Sequence, residues 1–267
     1  MAQFSAKGQH WMGQGTRNDI HEVVMIADKN GNIINTSGSA SNIPLADGEV
    51  SGYNHIHKFG ATDGNVTEGT VWDGNSGSTL YPYPAAGTVN VVGTAGPADD
   101  GKVVEVQGLD ENYDFAVENV VIGTGFSGTI FTRVFRARMS AEENTQDIEI
   151  LQGGSLAAKI MEGLGQTLMS VYTVPAGKTA YLLDLHLGSD KASTNTAMTY
   201  RVFCREYDDG GVFRIIGNYN AAGGQSLDIN YPVPLRISEK SDIKVDVIAG
   251  QATQVSATFD LILVDNE

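Results

Sequence analysis

The chain has one cysteine, seven prolines and no run of 18 apolar residues, and each shortage removes a class of protein. With Cys204 alone, no intrachain disulfide forms, so a disulfide-stapled scaffold is excluded and assembly in a reducing compartment is expected. Few prolines and no Gly-X-Y period exclude collagen. The missing apolar run excludes a helical membrane span. The start, MAQFSAKGQHWMG, lacks the apolar core of a secretory signal, so synthesis in the cytoplasm without export by that route is expected.

Basic residues are scarce too. Lys and Arg number 17 against 32 Asp and Glu, giving a formal charge of −15 and a pI near 4.6. Nucleic acid is bound by neutralising phosphates with cation clusters, so neither it nor an anionic membrane surface is an expected partner. The charge instead keeps copies soluble and mutually repelling.

What the chain has in quantity is alternation. Ala257, Phe259, Leu261 and Leu263 fall on one face of an extended segment, with Thr258 and Asp260 on the other. Ile243, Val245 and Val247 oppose Lys244 and Asp246 in the same way, and Tyr181, Leu183, Leu185 and Leu187 oppose Asp184 and His186. A helix would smear each set around its circumference, whereas a pleated strand gathers it on one side. Apolar residues make up 41% of 267, enough for real cores, and 32 glycines suit many tight turns. Cys204, mid-strand in RVFCREY, reads as a small buried hydrophobe, because no His or tight turn stands beside it to activate a thiolate.

Residues 1 to about 20 are polar, with Phe4 and Trp11 isolated among them. They read either as a floppy terminus or as an arm anchored on a neighbouring subunit by those two aromatics. HEVVMIADKNGNIINTSG then places Asn30-Gly31 between two apolar runs, a type I′ hairpin signal. Asp28, Asn30 and Asn32 do not make a calcium loop, since Gly31 comes too early and no acid follows at the twelfth position. From 36 to 100 the composition is Gly, Ser, Thr, Asn, Asp and Pro with aromatic tethers at Tyr53, Phe59, Trp72, Tyr81 and Tyr83. This reads as extended linker draped over a neighbour.

TVNVVGTA, KVVEVQGL, YDFAVENVVI, TIFTRVFRARM and TQDIEIL read as strands of a first domain, and seven or so more fill the rest. SLAAKIMEGLG is ambiguous, with a strand turning at Glu162-Gly163 preferred to a short helix. The expected fold is all-β: two antiparallel β-sandwich or jelly-roll-like domains at 88–152 and 153–267, divided at Gly153-Gly154. An arm, hairpin and linker at 1–87 precede them.

Candidate chemistry is thin. His55 and His57 in NHIHKFG share a side of an extended segment, but a zinc site needs two further ligands and no cysteine is near in sequence. They read as a polar contact stripe beside Phe59. GTGFSG at 123–128 matches a dinucleotide-binding pattern, yet a strand follows where a phosphate-binding helix is required. Asp99-Asp100, Glu142-Glu143 and Asp208-Asp209 read as solvated turn acids rather than a glycosidase pair. Arg136 and Arg138 share a face with Arg133 opposite; the pair meets either acids of its own sheet or a partner's acidic patch. NTS at 35 and NVT at 65 match glycosylation acceptors but carry little weight without a secretory signal. No catalytic, cofactor or metal residues are assigned.

Several phrases in a fixed order resemble structural proteins of tailed bacteriophages, particularly those of marine bacteria. They are HKFG at 57–60 with Trp-Asp at 72–73, GLDENYD at 108–114, QTLMSVYTVPAGKTAYLL at 166–183, YPVP at 231–234, SEKSDIKV at 238–245 and FDLILVD at 259–265. The resemblance spans about 53–267 and departs from the family at HKFGAT, where HKFGRN is the expected form. It implies a non-enzymatic virion component of β-sandwich domains, with no catalytic residues to carry over. The expected role is capsid decoration on the major capsid lattice, or else a neck, tail or fibre position, with homo-oligomers, trimers above all. Contact residues are then expected at Phe4, Trp11, His55, His57, Phe59, Trp72, Tyr81, Tyr83, Arg136 and Arg138. The rival expectations are a carbohydrate-binding jelly roll, with Trp72, Tyr81, Tyr83 and Tyr219 stacking on sugars, and a hydrolase with facing carboxylates.

Overall fold

The computed structural model describes residues 43–190 and 196–266, and the backbone of 26–27 and 33–34. Two units divide the chain, 1–44 and 45–267. In the first, β1 (Ile26–Ala27) pairs antiparallel with β2 (Ile33–Ile34), Ile26 opposite Ile34. The Asn30-Gly31 turn expected between them lies outside the described residues. Phe4 and Trp11 lie outside the described residues. A single helical turn, α1 (Ile43–Ala46), follows.

The second unit is built from antiparallel strands. In chain order they are β3 (Tyr53–Ala61), β4 (Val66–Thr70), β5 (Val89–Gly93), β6 (Val103–Asp110), β7 (Phe115–Val121), β8 (Phe131–Met139), β9 (Ile148–Gln152) and β10 (Ser155–Ile160). There follow β11 (Val171–Thr173), β12 (Lys178–Ser189), β13 (Ala197–Arg205), β14 (Arg214–Ala222), β15 (Leu227–Ile237), β16 (Asp242–Thr253) and β17 (Val255–Asp265). The sheets run β15-β12-β17-β3 and β11-β16-β13-β14, with β4 beside β16; the smaller pair run β10-β9-β5 and β7-β6-β8.

Alternation positions the larger core. Ala257, Phe259, Leu261 and Leu263 of β17 join Leu182, Leu185 and Leu187 of β12 in one cluster. Ile243, Val245 and Val247 of β16 and Met198, Tyr200 and Val202 of β13 complete it. Each fully buried side chain of this size contributes roughly 1.5–3 kcal/mol. One departure is instructive: the register of β12 slips between Leu182 and Asp184. That bulge turns Ala180 and Leu182 inward in place of the expected Tyr181 and Leu183, which are only half-buried. The smaller core gathers Val89 and Val91, Val104 and Val106, Phe131 and Val134, and Ile148, Ile150 and Ile160.

The linker reading fails over 53–70. β3 pairs with β17 along its whole length, Tyr53 opposite Val264 and Ala61 opposite Ser256, and β4 pairs with β16. As a sheet-edge strand β3 needs only one buried side, and that side carries Ile56, Lys58 and Gly60 rather than an apolar row. Gly60 is required there, since a Cβ would stand 2.3 Å from the Ser170 backbone nitrogen. The boundary also moves. Gly153 and Gly154, at φ 56° and 83°, are the turn between β9 and β10, and residues 45–267 form one compact unit. SLAAKI is strand β10, turning at Glu162-Gly163. No helix among the described residues is long and apolar enough to cross a membrane.

Candidate binding groove

A groove of about 630 Å³ opens where the free edge of β3 faces the β7-β6-β8 sheet. Asn54, His55, Ile56, His57 and Lys58 all line it. Successive side chains of a strand point to opposite faces, so five consecutive lining residues mean that the groove follows the strand's edge. The far wall is Gln107 of β6, Phe115 of β7 and Phe135 and Arg136 of β8, with Tyr172 of β11 beneath.

Lys58 and Arg136 set the electrostatics. Lys58 is 6% exposed, donates from Nζ to the Phe135 carbonyl oxygen and sits 5.7 Å from the Phe135 ring centroid. Burial, then the charge of Arg136, pushes its ammonium down to about 7. Arg136 donates from Nη2 to Gln166 Oε1 at 3.1 Å, while its Nε is buried without a partner. Burial, then Arg138, lowers its pKa as well. Among the described residues neither cation has a carboxylate within 4.0 Å. Asp73, the acid whose charge acts on Lys58, is itself held well above the usual carboxylate range by burial.

The arginine cluster departs from simple alternation. Gln107 faces Arg136 and Gly108 faces Val134, so Phe135 is an extra residue in β8. The bulge puts Arg133, Arg136 and Arg138 on one face instead of setting Arg133 opposite. Arg138 makes a two-pronged pair with its cross-strand neighbour Glu105, at 2.9 and 3.0 Å. Arg133 leaves the sheet to reach Asp242. Arg136 alone of the three lacks a carboxylate.

His55 and His57 stand on the outer face of β3, and both reach Asp260 Oδ1, at 2.9 and 2.7 Å. His57 also packs against Phe59, ring centroids 5.7 Å apart. The ladder continues across the sheet: Asp260 faces Asp184 of β12, and His186 bonds Asp228 of β15 at 2.8 Å. Burial, then the neighbouring Asp260, raises Asp184. Neither carboxylate lines the groove. No group of three or more His, Cys, Asp or Glu among the described residues is arranged to hold a metal ion.

Trp72 and Tyr81 are not surface contacts. They are 1% and 4% exposed, meet edge to face at 5.0 Å and fill the smaller core. The Tyr81 hydroxyl lies 2.9 Å from the Val134 carbonyl oxygen and 3.0 Å from that of Ala157. Tyr83 is half-buried between the guanidinium groups of Arg205 and Arg133, 4.5 and 5.5 Å from its ring centroid. Tyr219 bonds Tyr231 through their hydroxyls. Asp99, expected to be solvated, is buried and accepts from Lys102 Nζ at 2.8 Å and from the Thr145 amide. GTGFSG is a loop from β7 into strand β8. Cys204 is buried, and burial pushes its thiol up to about 12.

Sequence reasoning named Arg136 as a contact residue, paired with Arg138, but passed over the groove's two lysines, Lys58 and Lys178. Lys58 stood inside the expected linker. The one signal available was a Lys between apolar-leaning positions in HIHKFG.

No family model matches the chain, and no curated protein matches it. Among solved structures, the Yersinia pseudotuberculosis-derived mitogen is similar over 36% of this chain and 85% of its own, at 11% identity and a TM-score of 0.19. TmCBM61, solved in complex with beta-1,4-galactotriose, is similar over 67% and 88%, at 12% identity and 0.21. The infectious bursal disease virus Gx strain structure is similar over 80% and 71%, at 11% identity and 0.22. Scores this low carry no argument, and the all-β architecture rests on this chain's own strands.

Proposed function

We propose that this chain is a structural component of a bacteriophage particle that works by contact, decorating the head lattice. A neck, tail or fibre position is the alternative within the same reading. The observation that carries it is the outer face of the β7-β6-β8 sheet. Phe115 and Val117 of β7 are 57% and 48% exposed, on the same face as Arg136 and Arg138. Phe126, in the loop that follows, is 71% exposed. Aromatic and Arg side chains grouped in this way are what contact surfaces favour over the rest of a protein's exterior. The phrases that resemble phage structural proteins fall on parts that build the fold: β3, Trp72-Asp73 where the backbone pairs with Leu168 and Met169, the β6–β7 turn and β17. That suits a scaffold more than a catalyst.

The test is to purify particles, dissociate them and follow this chain by mass spectrometry, alongside a Phe115→Glu/Val117→Glu variant. Both positions are exposed, so the variant is expected to fold, and matching circular dichroism spectra of the two isolated chains check that it does. The expected result is the native chain on particles and the variant lost from them. A native chain absent from particles, or a variant retained at the native amount, overturns the proposal. The carbohydrate reading loses Trp72 and Tyr81 to the core; a glycan array with the full chain tests it.

A further inference from the structure

We infer that the groove beside β3 receives an extended acidic segment of a partner protein, which pairs with the strand's open edge and sets a carboxylate between Lys58 and Arg136. The inference deepens the contact reading by naming the chemistry of what docks.

Three observations converge. The first is backbone: β3 is hydrogen-bonded to β17 on one side only, and the edge that faces the groove offers main-chain groups over Asn54–Lys58. A free edge of this kind takes an added strand through main-chain bonds, with side-chain pockets supplying selectivity. The second is charge. In a chain of 32 acids and 17 bases, the groove is lined by one acid, the exposed Asp114, and by three buried or half-buried cations. Lys178 is paired with Asp265, but Lys58 and Arg136 have no carboxylate within 4.0 Å among the described residues. They repel each other, and Arg136 keeps a buried Nε without a partner. One carboxylate answers both, since it accepts from the guanidinium and restores the ammonium's charge. The third is shape. The walls between these charges are Phe115, Phe135 and Tyr172. An extended peptide with alternating acidic and apolar residues presents acids to the cations and apolar groups to those rings. A small inorganic anion would satisfy the charge but leave the edge and the rings untouched. An acidic polysaccharide lacks the peptide pattern that the edge pairs with.

The experiment uses the full chain labelled at its lysines, with NMR following the Lys58 ammonium. The probes are capped pentapeptides alternating Glu with Val, Thr or Phe, their Gln counterparts, and an oligogalacturonate of equal charge. An acidic peptide is expected to raise the Lys58 pKa by about one unit or more, as an opposite charge at short range does. Binding is expected to weaken about tenfold or more for the Gln peptides and in Lys58→Met and Arg136→Met, while Arg138→Met, whose native side chain is held by Glu105, changes little. A Lys58 signal unmoved by every acidic peptide overturns the inference. So does a response to oligogalacturonate alone, or peptide binding that survives both Met substitutions. No particle is present, so the outcome is independent of whether the chain is found on particles.

Discussion

Arg133 of β8 donates from Nε to Asp242 of β16 at 2.8 Å, tying a sheet of the smaller sandwich to a sheet of the larger. Asp242 is 2% exposed and also accepts from Arg205 Nε at 2.8 Å and from Thr173 Oγ1 at 2.6 Å. Removing the shared acceptor leaves two largely buried guanidinium groups facing each other. Asp242→Ala is therefore expected to cost about 3–5 kcal/mol, the usual penalty for stranding buried charges. Urea denaturation followed at tryptophan and by circular dichroism checks the magnitude. A loss under about 1 kcal/mol would mean that the clasp is solvated and contributes little.

Lys58 gives a prediction of the opposite sign. Its folded pKa of about 7 lies below the ordinary 10.5, so between those values the unfolded chain binds more protons. Stability therefore rises with pH across that window, and the cost of burying the charge is largest below it. Lys58→Met removes the cost while keeping the stem's packing. The variant is expected to be more stable than the native chain at pH 6 by about 1–3 kcal/mol, with the gain shrinking toward pH 10. Denaturation midpoints at several pH values decide it; an equal gain at every pH contradicts the titration argument.

Asp73 separates charge from hydrogen bonding. Its Oδ2 accepts the Leu168 amide at 2.6 Å while Oδ1 is buried without a partner, and burial holds the carboxyl well above its ordinary 3.8. A raised folded value stabilises fully below 3.8, and the contribution is lost as pH rises through that folded value. Asp73→Asn keeps an acceptor for the amide and carries no charge, so it is expected to fold normally and to flatten this dependence. Asp73→Ala strands the Leu168 N–H and is expected to cost about 1–3 kcal/mol. Thermal unfolding of both variants between about pH 4 and about pH 8 checks the pair.

Strands with a full apolar side were legible from composition alone. β17 shows Ala257, Phe259, Leu261 and Leu263 in strict alternation, and all four are buried. β3 was not, because its inner side is Ile56, Lys58 and Gly60, and only pairing with β17 reveals it as a strand. Trp72 looked external among polar neighbours. Those neighbours are internal too: Asn75 donates to the Thr70 carbonyl at 2.9 Å and accepts from the Thr79 amide at 2.9 Å. Bulges defeat counting by twos, as at Phe135 and Leu183, since one extra residue moves every later side chain to the other face. The groove was the least legible part. Lys58 and the Phe135 carbonyl are 77 positions apart in sequence, and nothing local announces such a meeting.

The histidine ladder makes the last prediction. His186 donates from Nδ1 to Asp228 Oδ1 at 2.8 Å, and its Nε2 lies 3.9 Å from Asp184 Oδ1. The bond to Asp228 is the largest cause of a pKa raised above 6.5, with Asp184 and Asp260 adding to it. Asp228→Asn keeps the side chain's size and removes its charge, so His186 is expected to titrate closer to 6.5 than in the native chain. The small stabilisation from this pair is complete below 6.5 and fades as pH rises through the folded value, so the two proteins should differ in acid and converge in alkali. Two-dimensional NMR of the imidazole nitrogens across that range follows the titration directly. A His186 value unchanged by the substitution would shift the cause to Asp184 and Asp260, and Asp184→Asn would then have to produce the missing shift.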